Sequence, residues 1–247
     1  MSKTFMLDGR EIPFDAGQTI MDAALAAGVY IPHLCHNPDY APHGSCRVCL
    51  VGVGGRQVSA CTAPAAEGMV VDSSSEAVQA TRRAILQMLF VEGNHVCPAC
   101  EASGNCQLQA VAYYTGMLAP HFTHFFPKRP VDASHPDYII DFNRCILCEL
   151  CVRASRDHDG KRVFGISGRG LNSHLVIDSP SGLLGDSSFA ASDRAAHVCP
   201  TGAIIPKHRG YEQPIGQRLY DQEPISVVGD RQASLEVKAE DAKAEVE

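Results

Sequence analysis

The apolar and polar positions at the start of the chain predict two short strands and a helix. Residues 4–14 fit a pair of strands that meet at an Asp-Gly turn, a dipeptide typical of tight hairpins. Residues 19–29 fit a helix in which Thr19 and Asp22 form a capping box and which Gly28 ends. This pattern predicts that the chain begins with a small α+β unit.

A second hairpin is predicted further along the chain. Two β-prone runs stand on either side of Gly54 and Gly55, and a glycine pair favours the tight turn that joins such strands. The hairpin would bring Cys49 and Cys61 close together across its two strands. These two cysteines are therefore predicted to be neighbours despite their separation in sequence.

A longer helix is predicted over residues 73–94. Ser73 and Glu76 have the spacing of a second capping box, and Gly93 is the expected stop. The predicted apolar face consists of Val78, Ile85, Met88 and Leu89. We interpret this face as ordinary core packing.

The remaining pattern predicts short elements separated by loops. Residues 120–137 are rich in proline and histidine and predict a connecting loop or a surface strap. Residues 138–142 predict a strand, residues 163–177 a hairpin, and residues 197–206 a turn that leads into a short apolar strand. Residues 234–247 are dominated by acidic side chains and predict a solvated tail without chemistry.

Composition and charge argue against nucleic-acid binding, membrane contact and a disulfide framework. The formal net charge is -7 and no block of lysine and arginine occurs, so we expect no nucleic-acid partner. The chain shows neither a secretory signal nor a run of 18 apolar residues, which predicts a cytoplasmic protein with no membrane contact. Eleven cysteines, an odd number, favour metal or redox chemistry over a disulfide framework.

The first cysteine group contains Cys35, Cys46, Cys49 and Cys61. Plant-type [2Fe-2S] ferredoxins hold their cluster with three cysteines from one loop, two of them as C-x2-C, and a distant fourth cysteine. The first group has this arrangement with a longer first gap. It predicts a [2Fe-2S] site.

Two alternatives exist for this group. A structural zinc site usually has two C-x2-C pairs, whereas only one is present here. A Rieske centre needs two histidines on one iron, and His33, His36 and His43 lie nearby. Four cysteines already complete the site, so we interpret these histidines as loop residues.

The middle group has one ligand too few. Cys97, Cys100 and Cys106 supply three of the four ligands that a [4Fe-4S] cluster requires. Three four-ligand sites need twelve ligands and the chain has eleven cysteines, so one ligand must be another residue. A neutral imidazole binds iron, and His95 lies two residues before the first cysteine of the group. We predict that His95 is the fourth ligand.

The third group lacks its fourth cysteine at the expected place. Cys145, Cys148 and Cys151 follow the run of bacterial ferredoxins, but Ser155 stands where that run has its next cysteine. In two-cluster ferredoxins this next cysteine binds the other cluster, so the missing ligand should be a distant cysteine followed by proline. Cys199 meets this condition, and the group predicts a second [4Fe-4S] site.

The same rule accounts for the serine. Counted back from Cys199, the ligands of a second cluster in this part of the chain would lie at Ala195, Ser192 and Phe189, and its distant ligand at Ser155. All four of these ligands are missing together. We therefore interpret the serine as the trace of a lost cluster.

With these motifs the chain resembles the N-terminal iron-sulfur region of the large subunit of complex I and, more closely, the small diaphorase subunit of NAD-reducing [NiFe] hydrogenases. The matching segments are "IPHLCHNPD", "GSCRVCLVGV", "NHVCPACEASGNCQLQ", "RCILCELCVRA" and "CPTGAI". The later segment "GYEQPIGQRLYDQEPI" is similar to the hydrogenase subunit alone. One position departs from the complex I pattern, which has its histidine four residues before Cys97, where this chain has Gly93.

The resemblance implies an α+β chain of three cluster-binding domains. Residues 1–78 would form a plant-ferredoxin-like β-grasp domain, and residues 79–120 a helical segment whose [4Fe-4S] cluster has three cysteines and one histidine. Residues 121–220 would form a bacterial-ferredoxin-like domain that retains one cluster. Residues 221–247 would be a tail.

The resemblance also implies an electron-transfer role in an enzyme complex. The expected partners are a flavin- and NAD-binding diaphorase subunit and the small and large subunits of a [NiFe] hydrogenase. No glycine-rich nucleotide fingerprint occurs between a strand and a helix, so we expect the chain itself to bind no nicotinamide. The alternatives are the same role in an NAD-dependent formate dehydrogenase or a complex I-like enzyme and, more distantly, a zinc-binding structural protein.

Overall fold

An antiparallel hairpin begins the chain and forms one edge of a mixed sheet in the computed structural model, which describes residues 3–230. The strands of this sheet are β1 (Lys3–Leu7), β2 (Arg10–Phe14), β3 (Leu50–Val53), β4 (Arg56–Ser59) and β5 (Val70–Asp72). They lie in the order β2-β1-β5-β3-β4, with β1 parallel to β5 and the other pairs antiparallel. The predicted tail, residues 234–247, lies outside the described residues.

The predicted N-terminal elements are confirmed. Asp8 and Gly9 form the turn between β1 and β2. Helix α1 (Ile20–Ala26) begins at a complete capping box, in which the N–H of Asp22 donates to Oγ1 of Thr19 and the N–H of Thr19 donates to Oδ2 of Asp22. The helix packs on the sheet and closes a core beneath it.

The start of the second helix differs from the prediction. Helix α2 (Glu76–Glu92) ends before Gly93 as expected, but its cap is Ser75, whose side chain makes no capping bond. Oδ1 of Asp72 accepts instead from the N–H groups of Ser74 and Ser75, at 3.1 and 2.8 Å. The capping box predicted at Ser73 is wrong, because the N–H of Ser73 donates to Oδ1 of Asp8 at 2.7 Å and its hydroxyl accepts from Arg82 at 2.8 Å.

The buried face of α2 also differs from the prediction. Val78, Leu86 and Val91 are buried, whereas Met88 is 48% exposed, so its predicted place in the core is wrong. The fourth buried residue is Arg82, which turns toward the sheet and donates to backbone carbonyls there. Ile85 and Leu89 are half-buried against the core, so the predicted face is confirmed except at Met88.

The second half of the chain consists of short elements. Its helices are α3 (Gln107–Tyr114), α4 (Leu150–Arg153), α5 (Arg194–His197) and α6 (Ile225–Val228). Its strands are β6 (Val131–Asp132), β7 (Tyr138–Asp141), β8 (Phe164–Ser167), β9 (His174–Ile177) and β10 (Ile204–Pro206). Strands β10, β7 and β6 form one antiparallel sheet in that order, and β8 pairs with β9 as the predicted hairpin.

A single large core joins the two halves. It contains Leu34 and Val48 from the first cysteine loop together with Leu86 of α2, Leu108 of α3 and Leu150 of α4. The loops that carry the cysteines are therefore fixed against one another by hydrocarbon packing. Within residues 3–230, no helix is long and apolar enough to cross a membrane.

Candidate iron-sulfur sites

The four cysteines of the first group lie together. The β3–β4 hairpin turns at its glycine pair as predicted and brings Sγ of Cys49 to 3.4 Å from Sγ of Cys61. Sγ of Cys35 accepts from the N–H of Cys46 at 3.5 Å, and all four side chains are buried. Hydrogen bonds from the Cys46 and Cys61 thiols lower the pKa of Cys35, and a hydrogen bond from Cys61 lowers that of Cys49 to about 7.

Two of the histidines beside this group are buried. His33 hydrogen-bonds to Oδ2 of Asp230 through Nε2 at 2.9 Å and to the carbonyl of Ile31 through Nδ1 at 2.7 Å. Burial lowers the pKa of His33, but the contact with Asp230 outweighs it and raises the pKa to about 9. Burial lowers the pKa of His36 to about 4. No sequence signal indicated that residue 230 would reach the first cysteine loop.

The middle group lines a small cavity after the end of α2. His95, Cys97, Cys100 and Cys106 all contribute to its wall. The C-x2-C pair lies on a short 3-10 helix, and Cys106 caps α3. Burial raises the pKa of the Cys106 thiol to about 12.

His95 has an unusual environment. Its Nε2 is buried without a hydrogen-bond partner among residues 3–230, and burial lowers its pKa to about 4, so the ring is neutral at pH 7. The ring also occupies the space beside residue 93, because a Cβ at Gly93 would lie 2.6 Å from this same nitrogen. The imidazole of residue 95 therefore lies where a side chain at position 93 would begin.

A C-terminal arm, residues 210–221, covers the loop of the middle group. The N–H of Tyr220 donates to the carbonyl of Gly104, and the N–H of Leu219 donates to the side chain of Asn105, both at 2.9 Å. Arg218 lies so close to Gly104 that a Cβ there would be 2.3 Å from its Nε. The only sequence signal for the arm was the resemblance of "GYEQPIGQRLYDQEPI" to the hydrogenase subunit.

The third group lines a separate cavity. Cys145, Cys148, Cys151 and Cys199 contribute to its wall together with apolar side chains. Burial raises the pKa of the Cys145 thiol to about 11, and the N–H of Leu147 opposes this rise. Ser155 is not part of this wall. It is buried behind α4, where its Oγ accepts from the N–H of Val163 at 2.9 Å.

The backbone of the cysteine loops adopts conformations that side chains disfavour. Arg47 follows Cys46 with a φ of 59°, and Leu147 and Glu149 flank Cys148 with φ values of 53° and 59°. Residues other than glycine rarely take positive φ, and such residues are concentrated where a loop wraps a ligand or a functional site. These loops therefore have the geometry of a cradle for a bound group.

The donor atoms fit iron-sulfur clusters better than single ions. Among residues 3–230, no three Cys, His, Asp or Glu side chains converge on one ion-sized position. A structural zinc ion needs four such donors around one point, whereas each iron of a cluster takes only one or two protein ligands.

Three family models match the chain in succession. A 2Fe-2S iron-sulfur cluster binding domain matches residues 2–76. The NADH-ubiquinone oxidoreductase-G iron-sulfur binding region matches residues 82–121, and a 4Fe-4S single cluster domain matches residues 139–205. The mixed α and β chain therefore has a [2Fe-2S] domain at its N-terminal end, followed by two [4Fe-4S] regions, and these clusters are its cofactors.

Curated relatives are subunits of a hydrogenase, an NADPH-Fe(3+) oxidoreductase and complex I. The gamma subunit of the NAD-reducing hydrogenase HoxS of Cupriavidus necator is 39% identical over 226 residues, which are 91% of this chain and 96% of that subunit. The alpha subunit of the NADPH-Fe(3+) oxidoreductase of Geobacter sulfurreducens and the mitochondrial 78 kDa subunit of NADH-ubiquinone oxidoreductase of Candida albicans are each 34% identical over 81% of this chain. The chain spans only 24% and 28% of these two longer proteins.

A solved structure agrees with the first of these relatives. One chain of the crystal structure of an NAD+-reducing [NiFe]-hydrogenase in the H2-reduced state is 52% identical and superposes with a TM-score of 0.90. The match covers 95% of this chain and 99% of that one. The chain therefore belongs to the family of iron-sulfur subunits that includes the gamma subunit of NAD-reducing hydrogenase.

Proposed function

We propose that this chain is an electron-transfer subunit with one [2Fe-2S] and two [4Fe-4S] clusters. The proposed ligands of the [2Fe-2S] cluster are Cys35, Cys46, Cys49 and Cys61. Those of the middle [4Fe-4S] cluster are His95, Cys97, Cys100 and Cys106, and those of the last [4Fe-4S] cluster are Cys145, Cys148, Cys151 and Cys199. A bound cluster of either type accepts and releases single electrons.

The observation that carries this proposal is the division of twelve donors into three sets of four. All eleven cysteines belong to a set, and the set that lacks a cysteine contains the buried, unpartnered Nε2 of His95. A buried polar atom without a partner is costly, which makes a bound iron the natural partner of this nitrogen. The low pKa keeps the ring neutral at pH 7, so one of its two nitrogens carries no proton and can bind a metal.

The shifted spacing of this histidine has a structural basis. Gly93 leaves room for the ring of His95, whose Nε2 lies 2.6 Å from the position of a Cβ at residue 93. Phe90 packs beside the ring, with the ring centroids 5.3 Å apart. These contacts support the same ligand role for His95 as for the histidine of complex I relatives.

We propose that the domains run over residues 1–78, 79–120 and 121–220. Each range contains one of the three family matches, of which only the second extends beyond its range, by one residue. In this proposal the first domain is a plant-ferredoxin-like β-grasp, which its mixed sheet and the helix packed on it support. The segment 221–247 follows as a tail, of which α6 packs on the rest of the chain through the buried Ile225.

The proposed partners are a flavin- and NAD-binding diaphorase subunit and the small and large subunits of a [NiFe] hydrogenase. The hydrogenase relatives support this assignment. The chain would transfer electrons between these two modules. The glycine-rich segment 52–55 is part of the β3–β4 hairpin, so the proposal places the nicotinamide site on the diaphorase subunit.

The chain's own side chains would insulate the sites and leave a face for a partner. Burial of the first four cysteines excludes water from that site.

Next to the middle site, residues 118–126 expose apolar side chains, and the N–H of Phe125 donates to the carbonyl of Val91 at the end of α2. Residues 102–131 contain no aspartate or glutamate. We propose that residues 118–126, called the strap below, contact another subunit of the complex.

The relay role can be tested by separating the two half-reactions. In the assembled complex, Cys151→Ser should abolish H2-dependent reduction of NAD+. Reduction of a dye by NADH and reduction of a dye by H2 should both continue, because the flavin and nickel-iron sites lie on other subunits. Ser155→Ala, four residues away, is the matched control and should keep all three activities. Full H2-dependent NAD+ reduction by the Cys151→Ser complex would contradict the proposal.

The ligand role of His95 needs a separate test. Electron-nuclear double resonance on the reduced chain should show one strongly coupled nitrogen, because a nitrogen bound to iron couples more strongly than a hydrogen-bonded one. His95→Ala should remove this coupling. His95→Cys should retain a cluster at a lower potential, since a thiolate adds one negative charge. Strong nitrogen coupling that persists in His95→Ala would show that another residue is the ligand.

The partner face can be tested on the strap. Changing Phe125 and Phe126 to serine should reduce the amount of the other subunits that co-purify with this chain, because both rings are largely exposed and would lose their apolar contacts. Leu171→Ser is the control, since this side chain is 90% exposed in the β8–β9 hairpin. If Leu171→Ser reduced the co-purification of the other subunits equally, the proposal that the strap contacts a partner would be contradicted.

A further inference from the structure

Two buried arginines beside the proposed ligands have no carboxylate partner. Arg82 and Arg153 are 1% and 4% exposed, and among residues 3–230 neither lies within 4.0 Å of an Asp or Glu oxygen. A third arginine, Arg144, lines the middle cavity but is paired with Glu101 at 2.7 Å and Asp141 at 2.9 Å. Arg144 is therefore directly ion-paired, whereas Arg82 has Asp8 and Asp72 only as more distant charges and Arg153 has Asp157 in the same way.

Arg153 connects two of the proposed sites. Its Nη2 donates to the carbonyl of Cys35 at 2.5 Å and, at 3.5 Å, to the carbonyl of Cys148. Its Nη1 donates to the carbonyl of Ala41 at 3.1 Å, and the guanidinium lies 5.7 Å from the ring centre of Tyr40. Arg153 and Cys35 are 118 positions apart in sequence, so this one side chain joins the loops of the first and third sites.

Arg82 provides a natural comparison. Its Nε and Nη2 donate to the carbonyl of Leu50, next to Cys49, at 3.1 and 2.7 Å, and its other bonds go to Ser73. These contacts belong to the first site alone. The two buried arginines are therefore alike in burial and in their lack of a carboxylate, and they differ in the number of cysteine loops that they contact.

A buried charge without a partner is unfavourable, so an opposite charge is expected nearby. Thiolate-bound clusters are negative, and a positive charge near a cluster favours the addition of an electron, since charges interact strongly where water is excluded. We infer that Arg153 is a positioning residue that compensates the charge of the first and third clusters together and raises the reduction potential of both. This inference rests on the cluster assignment proposed above.

The test is a potentiometric titration of the full chain, purified without oxygen and followed by electron paramagnetic resonance. In Arg153→Met, the midpoint potentials of the [2Fe-2S] cluster and the last [4Fe-4S] cluster should both shift to lower values. The middle cluster serves as an internal reference and should not shift. Arg82→Met should lower the potential of the [2Fe-2S] cluster alone. Arg153→Lys keeps the charge and should restore most of the potential at both clusters.

Each outcome decides the inference. A shift at only one cluster in Arg153→Met, no shift, or an equal shift in Arg153→Lys would overturn it. If Arg153→Met does not retain its clusters, Arg153→Gln is titrated in its place. Loss of clusters from both neutral variants but not from Arg153→Lys supports the charge role, whereas loss from all three shows a purely structural one. A wild-type chain without these clusters would refute the cluster assignment itself.

Discussion

The proposed last domain, residues 121–220, has two halves, and only one of them has cysteines at the positions where a two-cluster ferredoxin would place ligands. Cys145, Cys148, Cys151 and Cys199 line one cavity. The positions that would hold a second cluster are Ser155, Ala195, Ser192 and Phe189. Three of these four side chains are buried, and Ser192 is exposed. One half therefore surrounds a space, whereas the other half is filled.

The filled half is an aromatic core. Phe189 lies edge-on to His135, Tyr138 and Phe164, with ring centroids 5.2 to 5.8 Å apart. Ala195 lies on α5, and the N–H groups of residues 194 and 195 are capped by the carboxylate of Asp159. Aromatic packing and hydrogen bonds stabilise the half that contains Phe189 and Ala195, whereas a bound cluster would stabilise the half that contains the cysteines. The comparison predicts that substitutions in the two halves have different consequences.

The largest effect is expected from Cys199→Ser. Loss of this thiolate should remove the last [4Fe-4S] cluster, about four irons, and its paramagnetic signal, while the other two clusters remain. Iron analysis and electron paramagnetic resonance of the purified chain measure this. If Ser155→Ala removed that signal and Cys199→Ser left it intact, the assignment of the two halves would be reversed.

Phe189→Ala should destabilise the fold and leave the iron content unchanged. Truncation of a buried phenylalanine typically costs about 3–5 kcal/mol, because it removes apolar contacts and leaves a cavity. Chemical unfolding of the cluster-loaded chain under anaerobic conditions measures the loss. Selective disappearance of the last cluster at full stability would instead show that the aromatic core is part of the metal site.

Ser155→Ala should have a smaller effect of the same kind. The substitution leaves the buried N–H of Val163 without its acceptor, which typically costs about 1–3 kcal/mol. The same unfolding experiment applies, and all three cluster signals should persist. An unchanged free energy of unfolding would show that another acceptor replaces the hydroxyl oxygen.

The smallest effect is expected from Ser155→Cys. One thiolate cannot restore a site whose other three positions are alanine, serine and phenylalanine, so the iron content should stay the same. Iron and acid-labile sulfide are measured beside the wild-type chain. Four additional irons would mean that the filled half still has room for a cluster.

Much of the fold could be predicted because local chemistry determines it. The Asp8 turn, the Thr19 capping box and the β3–β4 hairpin depend only on residues a few positions apart, and all of them are confirmed. The grouping of the cysteines into three sets could also be predicted from the sequence, because metal ligands in one loop have characteristic spacing. The ligand roles themselves stay predictions.

The features that could not be predicted depend on distant contacts. The predicted place of Met88 in the core was wrong. Arg82 is buried on α2 because it binds backbone carbonyls across the sheet, and nothing in the helical pattern shows this. Arg153 contacts a loop 118 positions away, and Asp230 reaches His33 from the far end of the described chain. A hydrophobic pattern predicts which side chains are buried, but it does not predict which polar groups form hydrogen bonds with distant parts of the chain.

The arrangement of twelve ligands is the central claim, and the metal content of the full chain tests it most directly. One [2Fe-2S] and two [4Fe-4S] clusters amount to about ten irons and about ten acid-labile sulfides per chain. We predict these values for anaerobically purified protein, together with a brown colour. A colourless chain with stoichiometric zinc, or a chain with about six irons, would contradict the account.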